Sequence, residues 1–387
     1  MSSSPSEHRF FAPCPRGLEH LLAAELTALG ARAPQSTAGG VAFSGSWETC
    51  YRANLWSRIA SRVLWRVAEF AYAGEDEVYR ATRALAWPRL FGVARSLRVN
   101  VSAQHSPLKS IEFITLRIKD AVCDRFRDEL GRRPSADRAS PEVRVHAFLE
   151  TQRATLYLDT SGEPLFKRGW RSARVDAPLR ENLAAGIILL TGWRPEEPLL
   201  DPMCGAGTLL VEAAAIARGR APGAQRSFGF QRLAAYDAAL WERIASEPHA
   251  PAAAPLRLYG SDLDARALAA ARRNLAAAGV ERWVQLERAD VLQRQAPQPA
   301  GVLVANPPYG ERLGSADELA RFYPRLGDAL KRRFAGWRCH LFTADLRLPK
   351  LIRLQPARRV PLYNGALECR LYEFPIVAGS ARAAHAR

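Results

Sequence analysis

Apolar residues follow two different periods in the first 66 residues. Between 18 and 29 they recur at helical spacing and stop at Gly30, which predicts an amphipathic helix. The same spacing over 50–66 predicts a second helix with one apolar face. Short apolar runs at 10–12 and 39–43 predict strands. Together they indicate a small α+β unit.

A second module follows over 67–160, where helical and alternating stretches succeed each other. The pattern predicts helices at 76–85 and 111–126, and strands at 67–72, 97–102, 142–149 and 154–159. No catalytic spacing and no glycine-rich phosphate loop occurs in this stretch. We therefore expect a binding module, and RNA is the ligand that best suits it.

The third region opens with a strand, a glycine turn and a helix, which is typical of a doubly wound nucleotide-binding sheet. Asp201 ends the strand, and Gly205 and Gly207 allow the backbone to approach a ligand closely. An acidic residue beside the glycines favours a ligand with an amino-acid head and a sulfonium over a pyrophosphate. The residues predicted to bind this cofactor along the turn are Asp201, Pro202, Cys204, Gly205, Gly207 and Thr208.

Further acidic residues end the next two predicted strands. Asp262, followed by Asp264, is placed to hold ribose hydroxyls, and Asp290 to bond an adenine amino group. Because Asp262 lies far beyond the usual distance from the glycine turn, residues 219–255 must be an insertion. Its arginines and phenylalanines predict a loop and helix bordering the active site, with structural packing as the alternative.

A buried strand over 302–305 stops at Asn306-Pro307-Pro308-Tyr309. An exocyclic amino group is a poor nucleophile, and a protein assists it by accepting hydrogen bonds from its N–H groups. The Asn306 side-chain oxygen and the Pro307 carbonyl are predicted to do this. Pro308 helps to fix the loop, and Tyr309 offers a face on which a flipped base stacks.

The amino-acid composition indicates what kind of partner the protein binds. The 387 residues carry a net charge of +16 and a pI near 10.1, which predicts binding to nucleic acid. No apolar run is long enough to span a membrane, and the Ser-rich residues 1–7 resemble a disordered tail rather than a signal peptide. The 6 cysteines and 7 histidines are scattered singly, so no metal site is expected.

One short segment after the second module mixes basic and aromatic residues. Such interleaving suits a phosphate backbone with a base stacked nearby, although a packed linker between domains is the alternative. The residues predicted to contact RNA are Lys167, Arg168, Trp170 and Arg171.

Taken together, the segments 201–208, 260–264, 289–290 and 306–313 resemble a class I S-adenosylmethionine-dependent methyltransferase acting on an exocyclic amino group. With the stretches 12–19, 54–62 and 165–171, the chain is similar to the ribosomal large-subunit guanine-N2 methyltransferase family of the RlmL type. The resemblance implies an α/β fold, a Rossmann-like doubly wound sheet preceded by α+β modules. Its implied domains are a ferredoxin-like module at 1–66, a THUMP RNA-binding domain at 67–160, a linker at 161–178, the methyltransferase at 179–380 and a disordered tail at 381–387.

The resemblance further implies methylation of a guanine N2 in 23S rRNA or in a pre-ribosomal large subunit, by a cytoplasmic monomer without metal. Some relatives carry a second methyltransferase that makes 7-methylguanine, and since this chain ends at Arg387, only the N2 activity is expected. A tRNA guanine-N2 methyltransferase is the first alternative. An adenine-N6 DNA or protein-amide methyltransferase shares the loop at Asn306, and a non-catalytic RNA-binding assembly factor is an alternative from another class.

Overall fold

The computed structural model describes residues 7–172, 179–248, 255–307 and 316–377, and the chain divides into two units that are each discontinuous in sequence. The first unit comprises Met1–Cys14, Leu22–Leu165 and Gly223–Glu247. The second comprises Pro15–Leu21, Phe166–Pro222 and Pro248–Arg387. Each unit is built around one mixed sheet of 7 strands.

The strands of the first unit are arranged in the order β2-β3-β1-β4-β7-β6-β5. All neighbours are antiparallel except β5 and β6, which run parallel. The strands are β1 (His8–Pro13), β2 (Arg32–Thr37), β3 (Gly40–Gly45), β4 (Leu64–Ala71), β5 (Leu97–Ala103), β6 (Val143–Leu149) and β7 (Arg153–Asp159). The helices in this half of the chain are α1 (Glu19–Ala28), α2 (Trp47–Trp56), α3 (Glu75–Ala84) and α4 (Ile111–Leu130).

Side chains alternate between the two faces of this sheet. On one face they are buried, as Phe10, Phe43, Val145 and Leu158 show with at most 3% exposure each. Ile114, Ile118 and Val122 of α4 belong to the same core as Val145 and Leu158. The side chains that point the other way from β1, β3 and β6 are only half-buried or exposed. The predicted strands and the helices α1 and α3 are confirmed, and α4 is longer than expected.

The helix predicted over 50–66 is wrong in its second half. It ends at Trp56, and Ser57 has the extended backbone values φ −65° and ψ 122°. The carboxylate of Glu25 accepts hydrogen bonds from the Ser57 hydroxyl at 2.5 Å and from the backbone N–H of Arg58 at 2.7 Å. These bonds satisfy the donors that helix continuation would otherwise use, and β4 then begins at Leu64. Strand β2 was not predicted.

The second unit contains the doubly wound sheet, in the order β10-β9-β8-β11-β12-β14-β13. Strands from β10 to β12 are parallel, and β14 and β13 complete the sheet antiparallel. The strands are β8 (Leu199–Asp201), β9 (Leu258–Asp262), β10 (Val284–Arg288), β11 (Gly301–Ala305), β12 (Trp337–Thr343), β13 (Arg358–Asn364) and β14 (Leu367–Pro375). The helices after α4 are α5 (Glu181–Leu190), α6 (Thr208–Ala217), α7 (Ala238–Ala245), α8 (Ala265–Ala277), α9 (Ala316–Arg333) and α10 (Leu348–Ile352).

Strand β11 is the apolar centre of this sheet. Val302, Leu303, Val304 and Ala305 are at most 1% exposed, as a strand between two parallel neighbours requires. The helix predicted directly after the glycine turn is confirmed as α6. No helix in the described part of the chain is both long enough and apolar enough to cross a bilayer.

The insertion predicted over 219–255 packs largely within the first unit. Phe230 stacks on Tyr51 of α2 at 4.3 Å between ring centroids, and Phe228 stacks on Phe230 at 5.2 Å. Arg226 donates to the carbonyls of Pro164 and Ser161, at 2.6 and 3.1 Å. The aromatic part of the insertion therefore has the structural role that we kept as the alternative.

Candidate functional site

The strand order of the second unit reverses between β8 and β11. From β8 the chain crosses to β9 and β10 on one side, whereas β11 and β12 lie on the other. In open parallel sheets, ligands bind outside the carboxyl ends of the strands at such a switch point. The predicted site residues follow β8, β9, β10 and β11, so the topology brings these four segments to one edge of the sheet.

The glycine turn after β8 is held by backbone hydrogen bonds. The N–H of Cys204 donates to the Ser261 carbonyl at 2.9 Å, and the N–H of Gly207 donates to the Cys204 carbonyl at 2.8 Å. Gly207 has φ +77°, and a Cβ there would lie 3.2 Å from the Cβ of Ala271. Glycine at this position both allows the left-handed turn and lets α8 approach it.

Acidic side chains connect the turn to β9. The N–H of Gly205 donates to one carboxylate oxygen of Asp262 at 2.8 Å, and the N–H of Asp264 donates to the other at 3.0 Å. Asp264 also caps α8, since its side chain accepts from the N–H of Arg266 at 2.8 Å. The two carboxylates are thus fixed by backbone groups before any ligand arrives.

Asp201 lies beneath this turn and is only 2% exposed. Burial raises the pKa of its carboxyl to about 8, and the nearby Asp262 adds to the rise. The N–H of Met203 donates to it at 3.2 Å. Burial also raises the pKa of the Cys204 thiol well above its usual range, so this cysteine is not a nucleophile at neutral pH.

A cavity of about 620 Å³ opens at this edge of the sheet. Its volume suits a nucleoside-sized cofactor. Asp290, the third predicted acid, accepts from the N–H of Leu292 at 2.9 Å. The lining residues are Pro202, Met203, Asp262, Leu263, Asp264, Ala289, Asp290, Val291, Leu292, Asn306, Phe322 and Arg325. Of the predicted cofactor residues, Asp201, Cys204, Gly205, Gly207 and Thr208 are not among the lining residues.

Asn306 follows β11 directly and lines the same cavity. Its side-chain oxygen is buried and has no hydrogen-bond partner among the described residues. A buried polar atom left unpaired is uncommon and points to a function that uses it. Pro307, also buried, comes next. The remaining predicted catalytic residues, Pro308 and Tyr309, lie outside the described residues.

Several residues of the cavity were missed from the sequence. Phe322 and Arg325 lie three positions apart on α9 and therefore share a face. Leu263 is 63% exposed, and its place in the sequence between Asp262 and Asp264 was a signal that could have found it. Buried Asn274 supports the turn by donating to the Ala206 carbonyl at 3.0 Å.

Most side chains of the basic and aromatic segment after the first unit have partners within the protein. Arg168 is 3% exposed and pairs with Glu212, itself 2% exposed, at 3.4 Å. Trp170 is 6% exposed, and Arg171 pairs with Glu181 at 2.7 Å. Arg168 and Trp170 are thus buried and Arg171 is half-buried in an ion pair, which favours the alternative of a packed linker. Only Lys167 is exposed.

No group of three or more potential metal ligands occurs in the four stretches that the structure describes. The acidic and apolar lining of the cavity, with a glycine turn behind it, fits an organic cofactor that carries hydroxyl and amino groups.

Comparisons with known families agree with this geometry. Residues 168–373 match the RMKL-like methyltransferase domain, residues 9–64 the RlmL ferredoxin-like domain and residues 72–159 the THUMP domain. The chain belongs to the RMKL-like methyltransferase family. The predicted fold is confirmed: a Rossmann-like class I methyltransferase preceded by ferredoxin-like and THUMP domains.

Individual relatives extend the match to nearly the whole chain. The ribosomal RNA large subunit methyltransferase K/L of Syntrophotalea carbinolica is 43% identical over 95% of this chain and 53% of its own length. This chain therefore spans about half the length of that relative. A crystal structure of a candidate methyltransferase complexed with SAH aligns with a TM-score of 0.87 and 31% identity, covering 96% of this chain and 99% of its own.

A second solved structure carries a different description. A predicted N6-adenine-specific DNA methylase of Listeria monocytogenes aligns with a TM-score of 0.86 and 30% identity, over 96% of this chain and 97% of its own. The family and the structure solved with SAH confirm S-adenosylmethionine as the cofactor.

Proposed function

We propose that this chain methylates the exocyclic N2 of a guanine in 23S rRNA. The observation that carries the proposal is the side-chain oxygen of Asn306 at the wall of the cavity, which is buried and has no hydrogen-bond partner among the residues that the structure describes. An amide oxygen in that position can accept a hydrogen bond from a ligand, and an exocyclic amino group can donate one. The guanine and the ribosomal RNA follow from the family resemblance and from the name of the Syntrophotalea relative.

The cofactor is held by the acidic edge of the sheet. Asp262 offers oxygens to ribose hydroxyls, and Asp290 offers one to an adenine amino group. Leu263 and Leu292 line the same cavity and suit the faces of an adenine ring. S-adenosylmethionine, when bound there, supplies an electrophilic methyl group.

The substrate amino group is held by the loop after β11. The Asn306 oxygen and the Pro307 carbonyl accept its two N–H groups, which directs the nitrogen lone pair away from the loop. The nitrogen that gains a methyl group must afterwards lose one proton to solvent. Pro308 stiffens the loop and Tyr309 stacks on the flipped guanine, so that stacking offsets part of the cost of flipping.

The two N-terminal modules select the RNA. A THUMP domain is an RNA-binding module, and a net charge of +16 favours a polyanionic partner. The domain boundaries at residues 66, 160 and 178, the monomeric state and the cytoplasmic location are further parts of this proposal.

Methyl transfer to defined RNAs tests the proposal. The purified protein with radiolabelled S-adenosylmethionine is expected to label 23S rRNA or its pre-ribosomal particle and to leave tRNA and DNA unlabelled. Asn306→Ala should lose about 100-fold or more in rate, as removal of one preorganised hydrogen-bonding group does elsewhere. Calorimetry with S-adenosylmethionine should show that the variant still binds the cofactor. Labelling of tRNA alone, or of DNA adenine, would overturn the assignment of the substrate.

A further inference from the structure

Two aromatic rings lie next to each other on the half-exposed face of the first unit's sheet. Phe11 on β1 and Tyr157 on β7 flank β4, and their ring centroids are 6.3 Å apart at an interplanar angle of 44°. Their sequence neighbours Phe10 and Leu158 point into the core and are fully or almost fully buried. Alternation along the strands therefore leaves Phe11 and Tyr157 on the opposite face, where both are only partly buried.

A cavity of about 330 Å³ lies against these rings, which is at the lower end of the range for small-molecule sites. A single nucleotide is a ligand of this size class. Polar side chains border the cavity as well as aromatic ones. The polar side chains among them include Arg9, Gln35 and Arg66.

The polar groups around the cavity are mostly available to a ligand. Arg9 and Gln35 are exposed, and neither side chain bonds to any residue that the structure describes. Arg66 donates to Glu69 at 2.6 Å, which leaves its other donors for a phosphate. Glu69 is thus an acidic group close to the cavity, and its charge is offset by this pair.

Basic groups continue beyond the first cavity. Arg9 and Arg66 also border a second cavity of about 600 Å³, which Trp65 and Arg89 share. Arg89 is exposed and makes no side-chain bond to the described residues, whereas Glu7 at the rim pairs with Arg32 at 3.3 Å. Arg9 and Arg66 are therefore the basic residues that the two cavities share.

We propose that this face binds a single-stranded segment of the RNA substrate. An unpaired base stacks on Phe11 and Tyr157, Gln35 bonds the edge of that base, and Arg9 and Arg66 contact the flanking phosphates. Aromatic platforms on sheets bind single strands because every base has a π-face, whereas the bases of a duplex are stacked on each other and unavailable. This inference rests on the proposed function for the identity of the ligand as RNA.

Fluorescence of a 2-aminopurine base in an unstructured RNA of about 12 nucleotides measures stacking directly. The full chain is expected to quench it. Tyr157→Leu and Phe11→Leu should each weaken binding by about 5- to 100-fold, while Tyr157→Phe should bind like the wild type, since it keeps the ring. Arg9→Ala should lower the slope of affinity against salt by about 0.7, the contribution of one phosphate contact to a single strand.

Arg80→Ala on α3 is the matched control, since it removes an equal charge from another exposed site. Equal losses for Arg9→Ala and Arg80→Ala, or unchanged binding by both leucine variants at an unchanged melting temperature, would overturn the proposal. An RNA duplex that competes as well as the single strand would also contradict it. The test of RNA binding is independent of the test of methylation. Asn306→Ala should lose methyl transfer but should still quench the fluorescence of the RNA probe.

Discussion

The backbone N–H of Gly205 donates a 2.8 Å hydrogen bond to the carboxylate of Asp262, which joins the glycine turn after β8 to the end of β9. The same carboxylate lines the cofactor cavity. One side chain therefore shapes the turn and offers acceptors to the cofactor, and its two roles can be separated by substitution.

Asp262→Ala should weaken binding of S-adenosylmethionine by about tenfold or more, because it removes a hydrogen-bond acceptor and leaves the N–H of Gly205 unpaired. Isothermal titration calorimetry measures the loss. Asp262→Asn is the comparison, since its one amide oxygen can still accept from Gly205 while its NH2 group then faces the N–H of Asp264. It should lose less stability than Asp262→Ala, and it should bind the cofactor more weakly than the wild type. Wild-type affinity in Asp262→Ala would contradict the assignment.

Gly207→Ala should destabilise the second unit by about 1–3 kcal/mol through backbone strain, and more through its contact with Ala271. Gly205→Ala is a matched comparison, because its φ of +52° is also left-handed and a Cβ there meets nothing within 4 Å. Gly205→Ala should therefore lose only the stability that backbone strain removes. Urea denaturation without cofactor measures both, and equal losses would show that the approach of α8 has no part in the requirement for glycine.

The buried carboxyl of Asp201 predicts a dependence of stability on pH. Its pKa is raised from 3.8 to about 8 in the folded state, so the folded protein holds a proton that the unfolded chain has lost. Between about pH 4 and pH 8 this lowers the free energy of unfolding by as much as about 1.4 kcal/mol per pH unit. Asp201→Asn should therefore gain stability relative to the wild type as the pH rises through this window. Parallel curves of unfolding free energy against pH for the wild type and Asp201→Asn would contradict this prediction.

Substitutions at two adjacent basic residues should have very different effects on stability. Arg168→Met removes a partner of buried Glu212 and is expected to cost about 3–5 kcal/mol of stability. Lys167→Met alters an exposed side chain and should change stability by no more than about 0.5 kcal/mol. If Lys167 contacts RNA, its variant alone should also reduce the salt dependence of RNA binding at full stability. Denaturation and binding assays on both proteins check the contrast.

The elements that local patterns define could be predicted from the sequence. Helix α8 and strand β11 are examples, since one has an N-cap at Asp264 and the other is a short, wholly apolar run. The end of α2 could not be predicted, because Glu25 determines it from about 30 positions away in the chain.

The residues of the site also divide into those that local sequence patterns indicate and those that depend on the tertiary structure. Asp262, Asp290 and Asn306 could be found because each directly follows, or nearly follows, a predicted strand and such ends meet at one edge of a parallel sheet. Phe322 and Arg325 could not, because nothing in the sequence of α9 says which of its faces meets the cavity. The burial of Arg168 depends likewise on Glu212, a partner that only the tertiary structure reveals.

The most direct test of the account is the identity of the methylated nucleoside. Ribosomal RNA is incubated with the protein and S-adenosylmethionine carrying a deuterated methyl group, then digested to nucleosides and analysed by mass spectrometry. The account predicts labelled N2-methylguanosine with the wild type and almost none with Asn306→Ala. Labelled N6-methyladenosine, or equal amounts of labelled N2-methylguanosine from the two proteins, would contradict it.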